Sequence, residues 1–532
     1  MKRIVITLLL LINLIRLPMA ASAESIEVSG NVSGNWTADT VNVAGNLEVR
    51  SAELLQIDPG VTVLFHGSYY FKVSGCLRAL GTQDEGIVFT MADTTGFYND
   101  TLPNGGWSQI RIENINPTVD STIFRHCYFE YGKAVAADSV HGYGGAICVR
   151  NATKVAVTNC SFNHNYAYFN GGAIYLENAP ILIDHNQFQH NRCGQTEVYY
   201  GYGGALCSDN SEAHIRNNHF GENSSTGVGG GLCVRFSDCP VLFNVFDNNY
   251  SALGGGLGML HIDTCRFTVS NNLVVNNGAF FFGAGISNGD CSPTYVNNTI
   301  VNNNCDGGGG GFYCKDSVVP VLVNNILYGN TEYGGQRNQV YLWDILSQPA
   351  FYYNNVQGGS DEFDGTGASD FTGAYQHNIS ENPLFEPGSY ELDIQSPCIN
   401  AGNTDTTGWM IPSVDLAGQL RIVDDTIDLG AYERQHPDRI DLVIGTDENI
   451  LLDVYPNPAT EYIHIHFNLQ MAEHITLEIC DMNGRTIKVI RSETQTSGHH
   501  NLTQQVSQLP IGTYVVVLKT GEGLISQRFV KI

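Results

Sequence analysis

Apolar and polar positions recur along residues 144–330 in blocks of 25 to 32 residues, and the blocks share two fixed words. The first is a run of small residues closed by an aliphatic or aromatic one. It reads GGAI at 144–147 and 171–174, GGAL at 203–206, GGGL at 229–232 and 254–257, GAGI at 283–286 and GGGF at 309–312. The second sets an apolar residue three positions before an asparagine, in Phe162/Asn165, Phe188/Asn191, Phe220/Asn223, Phe246/Asn249, Val274/Asn277, Ile300/Asn303 and Leu327/Asn330. Between the words apolar residues alternate with others: Ile181, Ile183 and Phe188 have counterparts in Val155, Val157 and Phe162, and in Phe267, Val269 and Val274. Alternation at period two predicts short strands, and the three- and four-residue spacing of a helix face is missing. A repeat of this length built from short strands predicts a parallel solenoid over most of residues 25–345, one block to a coil.

The asparagines explain how the coils would turn. Two positions before the apolar residue of the second word stand Asn186, Asn218, Asn244, Asn272, Asn298 and Asn325, with Cys160 in the remaining copy. Equivalent residues of neighbouring coils stack about 4.7–4.9 Å apart. Asparagine tolerates left-handed bends and can hydrogen-bond along such a column. Glycine serves where the chain bends too sharply for a Cβ.

The repeated GGAI and FxxN words resemble the right-handed parallel β-helix repeats of bacterial surface proteins, including polymorphic outer-membrane proteins and the pectate-lyase-like group. The stretch LLQIDPGVTVLFHGSYYFKVSGCLRALGTQDEGIVFT at 54–90 resembles the opening coils of that group. The resemblance implies a right-handed solenoid over about 300 residues. It does not fix the chemistry, because lyases, hydrolases, epimerases and adhesins share the scaffold.

From Asn382 the pattern changes. NPLFEPGSYELDIQSPCINAGNT and DLAGQLRIVDDTIDLGAYE, ending at Glu433, resemble the segment called choice-of-anchor Q, which implies a cover for the exposed end of the solenoid. A polar connection follows, and residues 451–532 alternate again, with Asn-Gly, Ile-Gly and Gly-Glu-Gly turns that predict a small antiparallel, immunoglobulin-like sandwich. Tyr455-Pro456-Asn457-Pro458, Met482-Asn483-Gly484-Arg485 and Gly512-Thr513-Tyr514 resemble the words of the type A C-terminal sorting domain of the type IX secretion system. That resemblance implies export across both membranes, then cleavage of the tail and attachment to surface lipopolysaccharide, or release.

The N-terminus agrees with export. Lys2 and Arg3, an apolar run from Ile4 to Ile15 and the ending Ala21-Ser22-Ala23 have the layout of a cleaved secretory signal peptide. The run is too short to span a bilayer, and no later stretch is long enough. The expected organisation is therefore all-β: signal peptide 1–23, right-handed parallel β-helix 24–380, choice-of-anchor Q-like segment 381–433, linker 434–450 and sorting domain 451–532. With 53 Asp and Glu against 26 Lys and Arg, the formal charge is −27, which argues against nucleic acid as a partner. Fourteen cysteines in an exported chain could form disulfides, and no metal-type CxxC pair occurs.

Five places carry candidate chemistry. Asp184-His185 resembles a pectate-lyase word, but His185 falls in a column with Asn159, Asn217, Asn271, Asn297 and Asn324, which predicts a bend residue. Arg150, Glu177, Asp209 and Arg235 form a column on successive coils, three positions after the glycine words. Arginines that neutralise a uronate, with Glu177 and Asp209 holding Ca²⁺, would serve a polysaccharide lyase; the plainer expectation is an external salt-bridge ladder. His164, His190 and Glu222 form a third column that could share a metal or stand separately solvated. Cys207 with Cys233, and Cys265 with Cys291, could be stacked thiols or disulfides. Aromatic loops before the glycine words, with Tyr166, Tyr168 and Phe169, then Tyr199, Tyr200 and Tyr202, then Phe280, Phe281 and Phe282, could stack on sugars or dock a protein.

Clustered Asp pairs and a Gly-His-Gly word, expected of hydrolases on this scaffold, are not found. The expectation is a secreted, surface-attached protein that binds extracellular glycans or surfaces. A Ca²⁺-dependent lyase on acidic glycans and a passive envelope protein are its alternatives.

Overall fold

A computed structural model describes residues 24–113, 121–135, 141–195, 200–260, 267–423, 425–435, 452–457, 459–469, 472–481, 486–510, 512–520 and 524–531. A typical coil contributes four short strands, as in Ile174–Glu177, Leu182–Asp184, Gln187–Gln189 and Arg192–Cys193. Each pairs in parallel with its equivalent in the next coil: Ile174 with Leu206, Ile183 with Ile215, Phe188 with Phe220, and Arg192 with Ser224. The four rows are a parallel β-helix. The first and third join into one 23-stranded sheet because the long strand Thr40–Val49 of an opening coil runs through both.

Inward residues stack rung on rung. Phe89, Phe129, Phe162, Phe188, Phe220 and Phe246 form a pile with neighbouring ring centroids 4.7–4.9 Å apart. All six are fully buried, and each burial is worth about 2–3 kcal/mol against exposure. Both asparagine columns run inside the bends. In one, Asn186, Asn218, Asn244, Asn272, Asn298, Asn325, Asn354 and Asn378 pass side-chain Nδ2 to the next Oδ1 at 2.9–3.2 Å. Each also feeds a carbonyl of the preceding coil, as Asn218 does to Ile183 O at 3.0 Å. These buried amides satisfy backbone that the bends would otherwise leave unpaired.

The last turns are closed from inside by Phe363, Phe371 and Tyr375, gathered around Phe351 and one another. Residues 381–433, expected as the cover, lie instead against the flank of the final coils. Asn271 Nδ2 donates to Val414 O at 2.7 Å, Asn297 Nδ2 to Asp428 O at 3.0 Å, and Asn324 Nδ2 to Asn403 O at 3.0 Å. Leu392, Cys398 and Leu429 pack on Leu273, Val275, Val301 and Ile326, which point out of the solenoid. Equivalent outward positions in an uncovered coil are Gln187 and Gln189. The flanking strap is pinned by Arg421, fully buried, whose Nη2 donates to Asn271 Oδ1 and Ala431 O at 2.7 Å, with Nη1 3.5 Å from Glu433 Oε2.

The C-terminal strands form two antiparallel sheets with their own core. Leu452–Tyr455, Tyr462–Leu469 and Gly498–Gln505 make one; Thr486–Gln495, Glu473–Asp481, Gly512–Lys519 and Leu524–Lys531 make the other. Alternation places Ile463, Ile465 and Phe467 inside with Ile475, Leu477, Val516 and Phe529, as in a small β-sandwich. Asn457 of the first sorting word accepts from Val530 N at 2.9 Å and so ties that turn to the final strand. Met482-Asn483-Gly484-Arg485 lies outside the described residues.

Candidate binding face

The first row of strands places Arg150, Glu177, Asp209 and Arg235 in direct register on four successive coils, with Glu113 before them and Leu260 after. The alternation that buries Leu176 sends Glu177 outward. Arg150 Nε lies 2.8 Å from Glu177 Oε2, and Arg235 Nη1 lies 3.2 Å from Asp209 Oδ2. Tyr175 donates its hydroxyl to the same Asp209 oxygen at 3.3 Å. Aromatic rings support the guanidiniums: Arg150 sits 5.0 Å from the Tyr143 ring centre and 5.5 Å from that of Tyr175, and Arg235 sits 4.6 Å from Tyr202. Beneath them Cys148, Cys207 and Cys233 are buried free thiols, with Cys207 and Cys233 adjacent in register as stacked thiols. Burial pushes the Cys148 thiol up to about 12, so it holds its proton at neutral pH. Burial also raises the Asp209 carboxyl, against the pull of Arg235.

Calcium takes six to eight oxygen ligands. Glu177 and Asp209, named above as its ligands, each face a guanidinium, and among the described residues no group of three or more His, Cys, Asp or Glu is placed to hold a metal. The His164 and His190 rings lie 4.9 Å apart, tilted by 36°, and His190 Nδ1 is 3.4 Å from Glu222 Oε2. All three occupy left-handed bends. His185 does so as well, at φ 56°, and its Nδ1 is 2.7 Å from Asp184 Oδ1. Asp184 is further held by Arg216 and by Asn217 Nδ2 at 2.8 Å. The pair is bend and brace. Cys265 lies outside the described residues.

The aromatic loops separate into buried and exposed members. Tyr166 is fully buried, with the Arg192 guanidinium 4.5 Å above its ring. Its cover comes from residues 93–107, which bring Phe97, Tyr98 and Asp100 onto Arg192; Lys133, one coil before Tyr166, donates to Gly96 O, Asn99 O and Asn104 O at 2.8–3.1 Å. Tyr168 is half-buried and packs edge-on against Phe169, and Tyr202 lies under Arg235. Tyr199 lies outside the described residues. Tyr200 is 66% exposed. Residues that the sequence reading passed over join it. Tyr98 is 69% and Tyr250 49% exposed, alongside Phe280 at 53% and Phe281 at 47%. Backbone bonds link Gly201 to Gly227, Gly227 to Leu253, and Gly254 to Phe282, so the rings line one edge over consecutive coils.

A cleft of about 360 Å³ opens beside the charge ladder, lined by Asn178, Asn210, Glu212, Phe236, Ser237 and Asp238, with Pro180 and Ser211. Asn178, Asn210 and Phe236 directly follow Glu177, Asp209 and Arg235. The signal for Phe236 was legible: among the described residues, its left-handed bend column otherwise holds Asn151, Asn178, Asn210, Asp290 and Asp316.

Residues 138–300 match the family model described as right handed beta helix region, and residues 453–532 match that of the secretion system C-terminal sorting domain. No curated protein matches the chain. Among solved structures, the crystal structure of pectate lyase Pel9A is similar at 13% identity, covering 73% of this chain and 89% of that one with a TM-score of 0.23, too low to carry an argument. The coils are thus a right-handed β-helix. The tail is a type IX sorting domain, which engages the secretion machinery and sends the protein to the cell surface or extracellular space. No described helix is long and apolar enough to cross a membrane.

Proposed function

For a secreted β-helix protein carrying a sorting tail, we propose display on the outer-membrane surface and binding of extracellular glycans or neighbouring surfaces, with lipopolysaccharide attachment after the tail is cleaved. The observation that carries the binding role is the edge of exposed rings, Tyr200, Tyr250, Phe280 and Phe281. Aromatic faces left in water are costly in a protein otherwise rich in acids, and they match the apolar faces of sugars. The charge ladder supports a scaffold role: each carboxylate is matched by a guanidinium, so neither a free base nor a calcium pair stands ready for β-elimination.

The test is a glycan array probed with the purified protein and with a Tyr200→Ala/Phe280→Ala/Phe281→Ala variant. Binding that survives the triple change, or an array with no signal, overturns the reading. New unsaturated-uronate absorbance on an acidic glycan in Ca²⁺ would replace it with the lyase. Mass measurement of the exported protein tests tail removal: a mature chain that retains residues 451–532 counts against cleavage and attachment.

A further inference from the structure

We infer that Cys127 and Cys160, on adjacent coils, are a disulfide site whose oxidation during export staples the two coils together; this rests on secretion and not on what the surface binds. The asparagine column that runs back from Asn378 to Asn186 does not stop there. Ser161 pairs with Gln187 and Tyr128 with Ser161, so Cys160 and then Cys127 take the next two places in the column. Each follows a left-handed residue, Asn159 at φ 53° and His126 at φ 48°, as Asn186 follows His185 at φ 56°. Cys160 also keeps the column's backbone link, donating its N–H to Asn186 Oδ1 at 2.9 Å.

This bend brings side chains of different coils into contact. Its asparagines meet from Nδ2 to Oδ1 at 2.9–3.2 Å. On the flat row beside it, the Phe129, Phe162 and Phe188 rings stay 4.7–4.9 Å apart, the rung spacing itself. The cysteines exchange the amide link for weak donors: Cys160 Sγ lies 3.2 Å from Thr158 O, and Cys127 Sγ lies 3.4 Å from Arg125 O and 3.5 Å from Ala79 O. Rung spacing sets their Cα atoms about 4.8 Å apart, inside the roughly 4.4–6.8 Å that a disulfide spans. Cys207 and Cys233 share a register too, but on a flat row beneath the charge ladder, and should stay thiols.

The chemistry fixes the order of events. Both cysteines are buried, and burial, with Cys160 alongside, holds the Cys127 thiol well above the ordinary thiol range. A covered, protonated thiol is a poor nucleophile, so the bond forms before these coils close. The oxidant is a thiol–disulfide oxidase of the compartment beyond the inner membrane. One cysteine thiolate attacks the oxidase's disulfide and displaces one of its sulfurs; the other cysteine then attacks the mixed disulfide and releases the second. Two protons and two electrons pass to the oxidase, which leaves as a dithiol.

The experiment is mass mapping of the exported full protein, unfolded in urea with iodoacetamide and without reductant, then digested. The expected product is a Cys127–Cys160 linked peptide pair, two hydrogens lighter than the separate peptides, with Cys207 and Cys233 alkylated. Alkylation of Cys127 and Cys160, or a bond from either to another cysteine, overturns the proposal. A Cys207–Cys233 bond overturns the selection of the pair by the bend column. Cys160→Asn, which restores the column's usual residue, should fold and leave Cys127 alkylated. Melted with and without dithiothreitol, the parent should lose several degrees in the reductant and Cys160→Asn should not change. No loss in the parent, or an equal loss in both, overturns the staple.

Discussion

Asp209 Oδ2 lies 3.2 Å from Arg235 Nη1 across one rung of the solenoid, and both side chains are four-fifths buried on the outside of a sheet. The aromatic floor of Tyr175 and Tyr202 makes this possible, by drying a surface that would otherwise be water. An ion pair so placed outweighs a fully solvated one but still carries a desolvation cost. Arg235→Ala should therefore destabilise the β-helix by about 1–3 kcal/mol, and adding Asp209→Ala should recover part of that loss, because the stranded carboxylate goes too. A double-mutant cycle in urea measures the coupling.

The Asn218 side chain takes part in four bonds: its Oδ1 accepts from Asn186 N and Nδ2, and its Nδ2 donates to Ile183 O and Asn244 Oδ1. Replacing it by alanine leaves Asn186 N and Ile183 O of the preceding coil without this partner and should cost about 3–5 kcal/mol, at roughly 1 kcal/mol or more per bond lost. Asn218→Asp should be worse, since it removes the donor and buries a charge. Chemical denaturation of both variants checks the order.

Lys133, fully buried, holds residues 93–107 by three carbonyls, and burial draws its ammonium down to about 8. Lys133→Met should free that segment, costing about 2–4 kcal/mol. New protease cleavage between residues 93 and 106, with the coils otherwise intact, is the expected readout.

Glu433 on the flanking strap is pushed up to about 9 by burial and by Asp428, against the pull of Arg421. Because its folded value lies above the ordinary carboxylate value, its contribution is fully present below about pH 4.5 and is lost as pH climbs toward 9. Glu433→Gln should remove that part of the dependence. The difference between parent and variant melting temperatures, followed from pH 5 to 9, should shrink the parent's advantage as pH rises.

Much of the fold was legible because stacked coils turn three-dimensional contacts into sequence columns. The Phe188–Phe220 rung and the Asn186–Asn218 link are each one repeat apart. So was the register of Glu177 on Asp209. Contacts that skip the repeat were not legible. Tyr166 reads as an exposed loop aromatic until residues 93–107, far upstream, are laid over Arg192. The strap's place on the flank left a trace that could have been followed: outward Leu273, Val275, Val301 and Ile326 are apolar where Gln187 and Gln189 are polar, as a covered face requires. Phe236 stood out only once its bend column was assembled.

The asparagine columns also give the molecule a direction. Every amide along Asn186, Asn218, Asn244 and Asn272 hands its proton forward to the next coil and a second one back to a carbonyl of the coil before. No coil is complete until both neighbours are in place. Under a pull along its axis, such a solenoid has the mechanics of a zip fastener: load enters at an end, one tooth opens at a time, and the coils behind keep their grip.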